Sequence, residues 1–199
     1  VSFVDITNID EIERKIRPNT KLIYSESVTN PLLQITDIPV ISKLAHQNNI
    51  KVAIDNTFTP LIINPCELGA DVTVYSMTKF INGKNDCVAG AICGTHEFIG
   101  ALTDVNTGTA MLLGPVLDSL RASSIHKNMF TLHIRMQKHS ENAMYLSKQF
   151  EERGIAISYP GLESHPQHGL MKEIMNDGFG FGGIMAIDLR TKELANKFM

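Results

Sequence analysis

Along the first half of the chain, short apolar runs alternate with stretches whose apolar residues recur every three to four positions. TKLIYSES (20–27), IKVAIDN (50–56), DVTVYS (71–76) and VAGAICG (88–94) are strand-like, being short, apolar and bounded by turn residues. Between the first two, DIPVISKLAHQNN predicts a helix. Ile38, Ile41, Leu44 and Ala45 share one face, Asp37 can cap it, and Pro39 falls in its first turn. NIDEIERKIR (8–17) predicts a short helix capped by Asn8 or Asp10, and ELGA (67–70) a helix end. Strands and helices alternating in this way, with nearly continuous apolar strands, predict a mainly parallel α/β sheet covered on both sides.

Beyond residue 95 the pattern turns helical. HEFIGAL, LLGPVLDSLRASSI and NMFTLHIRMQKHSENAMYLSKQFEER predict helices, followed by strands at IAISYP (155–160) and GIMAIDL (183–189). A domain boundary is expected near residue 125. The chain opens on VSFVDITNID, with no initiator methionine and no targeting signal, and stops at ELANKFM in helical sequence. A piece of a longer polypeptide is the expectation.

Composition narrows the partners. With 199 residues, 43% hydrophobic and 20% charged, the chain can bury a core and is not disordered. A net charge of -3 without a basic stripe argues against nucleic acid or an anionic membrane as the main partner. No apolar run approaches the roughly 20 residues of a membrane span. Three cysteines without a CxxC pair predict buried thiols in a reducing compartment, the cytoplasm first with an organelle left open.

Several motifs carry no chemistry. GFGFGG (178–183) satisfies the dinucleotide pattern, but helical sequence precedes it and a strand follows, the reverse of the required order. A glycine-rich turn with aromatic packing is expected there. His165 and His168 are separated by Pro166 at the wrong spacing for a helical metal pair. His126, His133 and His139 lack a matching carboxylate pattern, so no metal site is expected. No G-x-S-x-G nucleophile elbow occurs.

Polar groups instead gather at the C-terminal ends of three predicted strands, the edge where ligands bind in open α/β sheets. Glu26, Ser27, Thr29 and Asn30 follow the first strand. Asp55, Asn56 and Thr57 follow the second, and Ser76, Thr78 and Lys79 the third. Taken singly, each reads as a cap or turn residue, and Lys79 as a solvated strand end. Together they offer an amine, a carboxylate, an amide and hydroxyls. Pyridoxal 5'-phosphate needs that set: Lys79 for its aldehyde and Asp55 for its pyridine nitrogen. Ser76 and Thr78, two apart on an extended chain, point to one side and can share the phosphate. Asn30 can donate to the phenolic oxygen.

At these residues the sequence resembles the Cys/Met-metabolism family of pyridoxal-phosphate enzymes. The likeness runs in family order through YSESVTNPLLQITDI, VAIDNTFTPLIINPCELGADVTVYSMTKFINGKND, VAGAICG, LHIRMQKHSENA, YPGLESHPQH and FGFGG. GTAMLLGP, AGAICG and SYPGLESHPQHGL are most similar to its plant-type methionine γ-lyase branch. The resemblance implies an aspartate-aminotransferase-like α/β fold, fold type I. Residues 1–125 would be the later part of the cofactor-binding large domain. Residues 126–199 would be a linker helix and the start of a smaller α+β C-terminal domain.

By the same resemblance Lys79 is the catalytic and cofactor lysine, Asp55 the pyridinium partner, and Ser76 and Thr78 the phosphate ligands. Asn30 meets the phenolic oxygen, and Thr57 orients the ring or Asp55. The implied substrate is a sulfur-containing amino acid, with methionine γ-cleavage first. Cystathionine γ-lyase, γ-synthase or β-lyase activity and a catalytically incompetent fragment are the alternatives. The implied assembly is a homotetramer of paired dimers. Two segments depart from the family pattern and bear on substrate choice. Asn82-Gly83-Lys84-Asn85-Asp86 stands for Gly-Gly-His-Ser-Asp, and Leu120-Arg121-Ala122-Ser123-Ser124-Ile125-His126 for Leu-Arg-Gly-Leu-Lys-Thr-Leu. Family members are longer than this chain. Their ring-stacking tyrosine, Gly-Met phosphate donors, Tyr/Arg pair from a neighbouring subunit and carboxylate-binding arginine are expected outside it.

Overall fold

The computed structural model describes residues 1–199. Asn8, not Asp10, caps α1 (Ile9–Lys15), accepting from the Glu11 amide at 3.0 Å. β1 (Leu22–Glu26) leads to α2 (Ile38–Gln47), which Asp37 caps by accepting from the Val40 amide, with Pro39 in the first turn. The chain returns along β2 (Lys51–Asp55) and passes through turns to β3 (Val72–Ser76). ELGA lies in those turns and forms no helix end. Gly69 adopts φ +103° and the Ala70 amide closes on Pro65 O.

β4 (Gly90–Gly94) completes a sheet of order β1-β2-β3-β4. The first three strands are parallel, and β4 runs antiparallel to β3. Val52 and Ile54 on β2 are fully buried, whereas most of β4 is exposed. Two-sided cover therefore holds at the centre of the sheet and fails at its β4 edge. The expected burial of the thiols fails as well. Cys66 lies in a surface turn and Cys93 on the edge strand, both exposed, and Cys87 is partly exposed.

The second half comprises α3 (His96–Thr103), α4 (Thr109–Leu113), α5 (Ser119–Met129) and α6 (Leu132–Glu152). β5 (Ile157–Ser158), α7 (His168–Ile174), β6 (Ala186–Ile187) and α8 (Lys192–Phe198) follow. LLGPVLDSLRASSI is two helices rather than one. Gly114 ends α4 in the left-handed region at φ +65°, Pro115 cannot continue the helix, and Asp118 caps α5. The long helical stretch also divides, at Phe130 and Thr131. There the Asn128 carbonyl is taken by the Thr131 amide and hydroxyl and by Arg135, instead of by the next helical amide. β5 and β6 are shorter than predicted and pair antiparallel as a second sheet.

Residue 125 falls inside unbroken α5, and one core spans both halves. Ile38, Ile41, Val52 and Ile54 pack with Ile125, Leu132, Met136, Met171 and Ile174. Full burial of each such side chain contributes about 1.5–3 kcal/mol. α7, which the histidine pattern concealed, supplies Met171 and Ile174. Just before it, Gln167 accepts from Ile35 N at 2.8 Å and donates to Ile35 O at 2.7 Å. Ile35 is fully buried, so this one side chain satisfies both of its backbone groups.

At the opposite edge of the sheet from the strand C-termini, Asp71 meets Lys51 Nζ at 2.7 Å and His46 Nε2 at 2.9 Å. It also accepts from Val52 N at 2.9 Å. Burial opposes ionisation of Asp71, but the bonds from Lys51, His46 and Val52 outweigh it and hold the carboxyl below its ordinary 3.8. The folded value is depressed, so the stabilisation is present above the unfolded value and lost as pH falls through the folded one. Asp71→Asn should lower the urea midpoint at neutral pH and shrink the difference between neutral and acid midpoints. Gln167→Ala should cost about 2 kcal/mol by leaving the buried groups of Ile35 unmatched, read from the same urea transitions.

Candidate active site

Three parallel strands end side by side, with Glu26 in register with Asp55, and Asp55 with Val74. A buried polar knot fixes how the chain leaves them. Asn56 has no exposed surface; its Nδ2 donates to Ile63 O at 2.8 Å and to Thr59 O at 3.2 Å. Its Oδ1 accepts from Thr59 Oγ1 at 2.7 Å, and its amide donates to Val74 O. Thr59 Oγ1 also meets Ser27 Oγ at 2.8 Å, joining the loop after β1 to the loop after β2. With these groups satisfied internally, the next residues along each strand end are free to face outward.

They face one cavity of about 170 Å³. Lys79, Asp55, Ser76, Asn30 and Thr57 line it, along with Glu26, Val28 and Phe58. Five of the six sequence-predicted residues are thus brought together. Asp55 Oδ1 accepts from Thr57 N at 2.9 Å, and its Oδ2 accepts from Tyr24 OH at 3.2 Å. Thr57 Oγ1 in turn accepts from Ser76 N at 2.8 Å, so one threonine ties the ends of β2 and β3. Burial, reinforced by the Asp55 and Glu26 carboxylates, raises the Tyr24 phenol above its ordinary 10.0.

Thr78 is placed apart. The expected alternation stops at Ser76, because the chain turns there: Lys79 N donates to Ser76 O and Gly83 N to Lys79 O. The Thr78 hydroxyl accepts from Ala89 N at 3.0 Å and donates to Ala89 O at 3.3 Å. It borders a second, open cavity of about 640 Å³ instead.

Tyr24 and Glu26 were not assigned roles from sequence. Their signal was present, since residues two apart on a strand share a face, and Tyr24, Glu26 and the register partner Asp55 meet that condition. Glu26 Oε2 accepts from Asn30 N at 2.7 Å and so anchors the loop that carries Asn30. The glycine-rich turn serves packing: Gly182 N donates to Ser140 Oγ at 3.0 Å, and Tyr159 OH donates to Gly182 O at 2.9 Å. A Cβ on Gly180 would stand 2.7 Å from Ser140 Cβ. His168 bonds Pro160 O and stacks on Phe181.

Within the cavity, Lys79 Nζ, Ser76 Oγ and the Asn30 side-chain amide make no hydrogen bond to the rest of the chain, while the Asp55 carboxylate is held rigidly. An amine, a fixed carboxylate and free donors suit an aldehyde, a ring nitrogen and oxygen acceptors. At the carboxyl edge of a mainly parallel sheet, they define the pyridoxal-phosphate class of α/β proteins. Residues 1–199 match the family described as Cys/Met metabolism PLP-dependent enzyme, and the chain belongs to that family.

It is 42% identical over 199 residues to a methionine γ-lyase of Arabidopsis thaliana, covering 100% of this chain and 45% of that protein. An L-methionine γ-lyase of Fusobacterium nucleatum subsp. polymorphum is 40% identical over 197 residues, covering 96% of this chain and 48% of that one. Among solved structures, cystathionine γ-lyase from Lactobacillus plantarum, complexed with L-serine, superposes with a TM-score of 0.85 at 32% identity. That match covers 94% of this chain and 48% of the other. The fold is therefore fold type I, and pyridoxal 5'-phosphate is the cofactor of the family. The chain spans about half the length of the curated relatives it matches.

Thr57→Val keeps the Thr57 amide on Asp55 but removes the acceptor of Ser76 N. It should lower stability by about 1–3 kcal/mol in a urea titration, while Thr57→Ser restores most of the loss.

Proposed function

We propose that the chain is the cofactor-binding part of a pyridoxal-phosphate-dependent carbon–sulfur lyase acting on a sulfur-containing amino acid, methionine first. One observation carries this reading: Lys79, Asp55, Ser76 and Asn30 converge on one cavity in a chain of this family. When bound, the cofactor would supply an aldehyde that captures amines and a ring that draws electrons from an amino acid's α-carbon.

Lys79 Nζ, lining the cavity without a partner in the chain, is the group that would hold the aldehyde. Released by a substrate amine, the same nitrogen would serve as the base for the Cα proton and as the proton carrier toward the sulfur group. Asp55, fixed by Thr57 N and Tyr24, is the carboxylate that would hold a proton on the ring nitrogen. Ser76 Oγ would donate to the phosphate, whereas Thr78 Oγ1 is held on Ala89 beside the other cavity. Asn30 donates to the phenolic oxygen. With one water consumed, methionine would yield methanethiol, 2-oxobutanoate and ammonia. A cytoplasmic homotetramer accompanies the proposal on family grounds. Similarity to the Lactobacillus plantarum enzyme favours a second reading, cleavage of cystathionine, with γ-synthase and β-lyase activity drawing on the same residues.

Titration of the protein with pyridoxal phosphate should produce the visible band of a lysine-bound aldehyde, and borohydride should trap it on Lys79. Lys79→Ala should abolish the band and Asp55→Asn should weaken binding. No band in the wild type sinks the cofactor reading. Thiol analysis then separates the substrates: methanethiol from methionine supports the first choice, and cysteine from cystathionine the second. A trapped band without either thiol identifies a binding-competent but inactive chain.

A further inference from the structure

The turn that carries Lys79 leaves the sheet at Ser76 and is gripped from outside by one cation. Arg135, in the first turn of α6, extends its side chain into this turn. Its Nη1 donates to Phe80 O, and its Nη2 donates to Ile81 O at 3.0 Å and to Asn128 O at 3.2 Å. Nε donates to Thr131 Oγ1 at 3.2 Å. Every acceptor is a neutral oxygen, and no carboxylate pairs with this guanidinium. Burial lowers its pKa below the usual guanidinium value.

A surface arginine keeps its charge in water and gains little from a partner. Arg135 gives up hydration to bind three backbone carbonyls, two of them immediately after Lys79, with the planar fork that only arginine offers. Two neighbours fit the same arrangement. Gly83 holds φ +70°, and a Cβ there would overlap the guanidinium. Asn82 is buried, donates to Asp86 Oδ1 at 2.7 Å and accepts from Asn128 Nδ2 at 2.8 Å, fastening the turn to the end of α5. A lysine side chain is long and flexible, so where its amine arrives depends on how firmly its backbone is held.

We propose that Arg135 is a positioning residue for Lys79, locking the 79–83 turn so that the amine lines the cavity it shares with Asp55. The consequence for aldehyde capture rests on the cofactor reading above; the grip on the turn rests on the geometry alone.

The test compares wild type with Arg135→Met and Arg135→Lys, and with Arg153→Met as a charge-loss control at the far end of α6. Amide hydrogen exchange of residues 79–83 is measured without cofactor. Pyridoxal phosphate titration, borohydride trapping and peptide mapping follow. Arg135→Met should speed exchange in the turn by about tenfold, raise the apparent dissociation constant by a similar factor and spread the trapped label to other lysines. Arg135→Lys, a single point donor, should fall between, and Arg153→Met should match wild type. Unchanged exchange overturns the proposal, as does faster exchange with capture still confined to Lys79 at wild-type affinity. If the wild type captures no aldehyde, the cofactor reading fails separately. The exchange rates then decide the grip: faster in Arg135→Met upholds it, equal rates overturn it. Should Arg135→Met not fold, the Lys variant carries the same comparison.

Discussion

Asn56 is fully buried, and the arrangement of the strand ends depends on its amide. β2 and β3 are parallel neighbours joined without a helix, so nothing regular holds the connecting turns. A buried amide with its donors and acceptor matched substitutes for that regularity. The hydroxyls of Thr59 and Ser27 extend the same order to β1. An unmatched group anywhere in such a knot would cost more than the knot contributes, which makes its geometry all-or-none. The cavity residues inherit their positions from it.

Polarity is graded along the strands as a result. At one end Asp71 gathers Lys51, His46 and a backbone amide. In the buried turns just beyond the strands the bonds are between neutral groups. At the other end, donors on Lys79, Ser76 and Asn30 have no partner inside the chain and stand beside the Asp55 and Glu26 carboxylates. The part of the sheet that is least satisfied by its own contacts is the part with chemistry to offer. Behind it, Arg135 adds a cation whose field is absorbed by carbonyl dipoles rather than by another charge.

Much of this was legible in the residues. VAID and VTVYS read as buried strands because their apolar runs are short and bounded, and Asp37 with Pro39 marked the start of α2 without ambiguity. Five of six candidate residues followed from strand ends, since a strand terminus in a parallel sheet is also a location. Thr78 did not, because the two-residue alternation needs extended backbone and the turn begins at Ser76. α7 stayed hidden because Pro166 and two histidines masked an apolar face that only tertiary packing reveals. The divisions at Gly114 and Thr131 have different causes: the first is written in Gly-Pro, the second in the Asn128 carbonyl being taken by Thr131 and Arg135. The thiols were misplaced because being apolar says nothing about lying at an edge.

α6 has a mechanical consequence. Its first turn touches the backbone beside Lys79 through Arg135, and one and a half turns later Ser140 takes the Gly182 amide beside the second sheet. At about 1.5 Å of rise per residue those anchor points lie roughly 7 Å apart on a single rod. The turn that carries Lys79 and the glycine-rich turn before the second sheet are therefore held by one short stretch of helix. The two sheets share no strand, yet one helix fastens a turn of each.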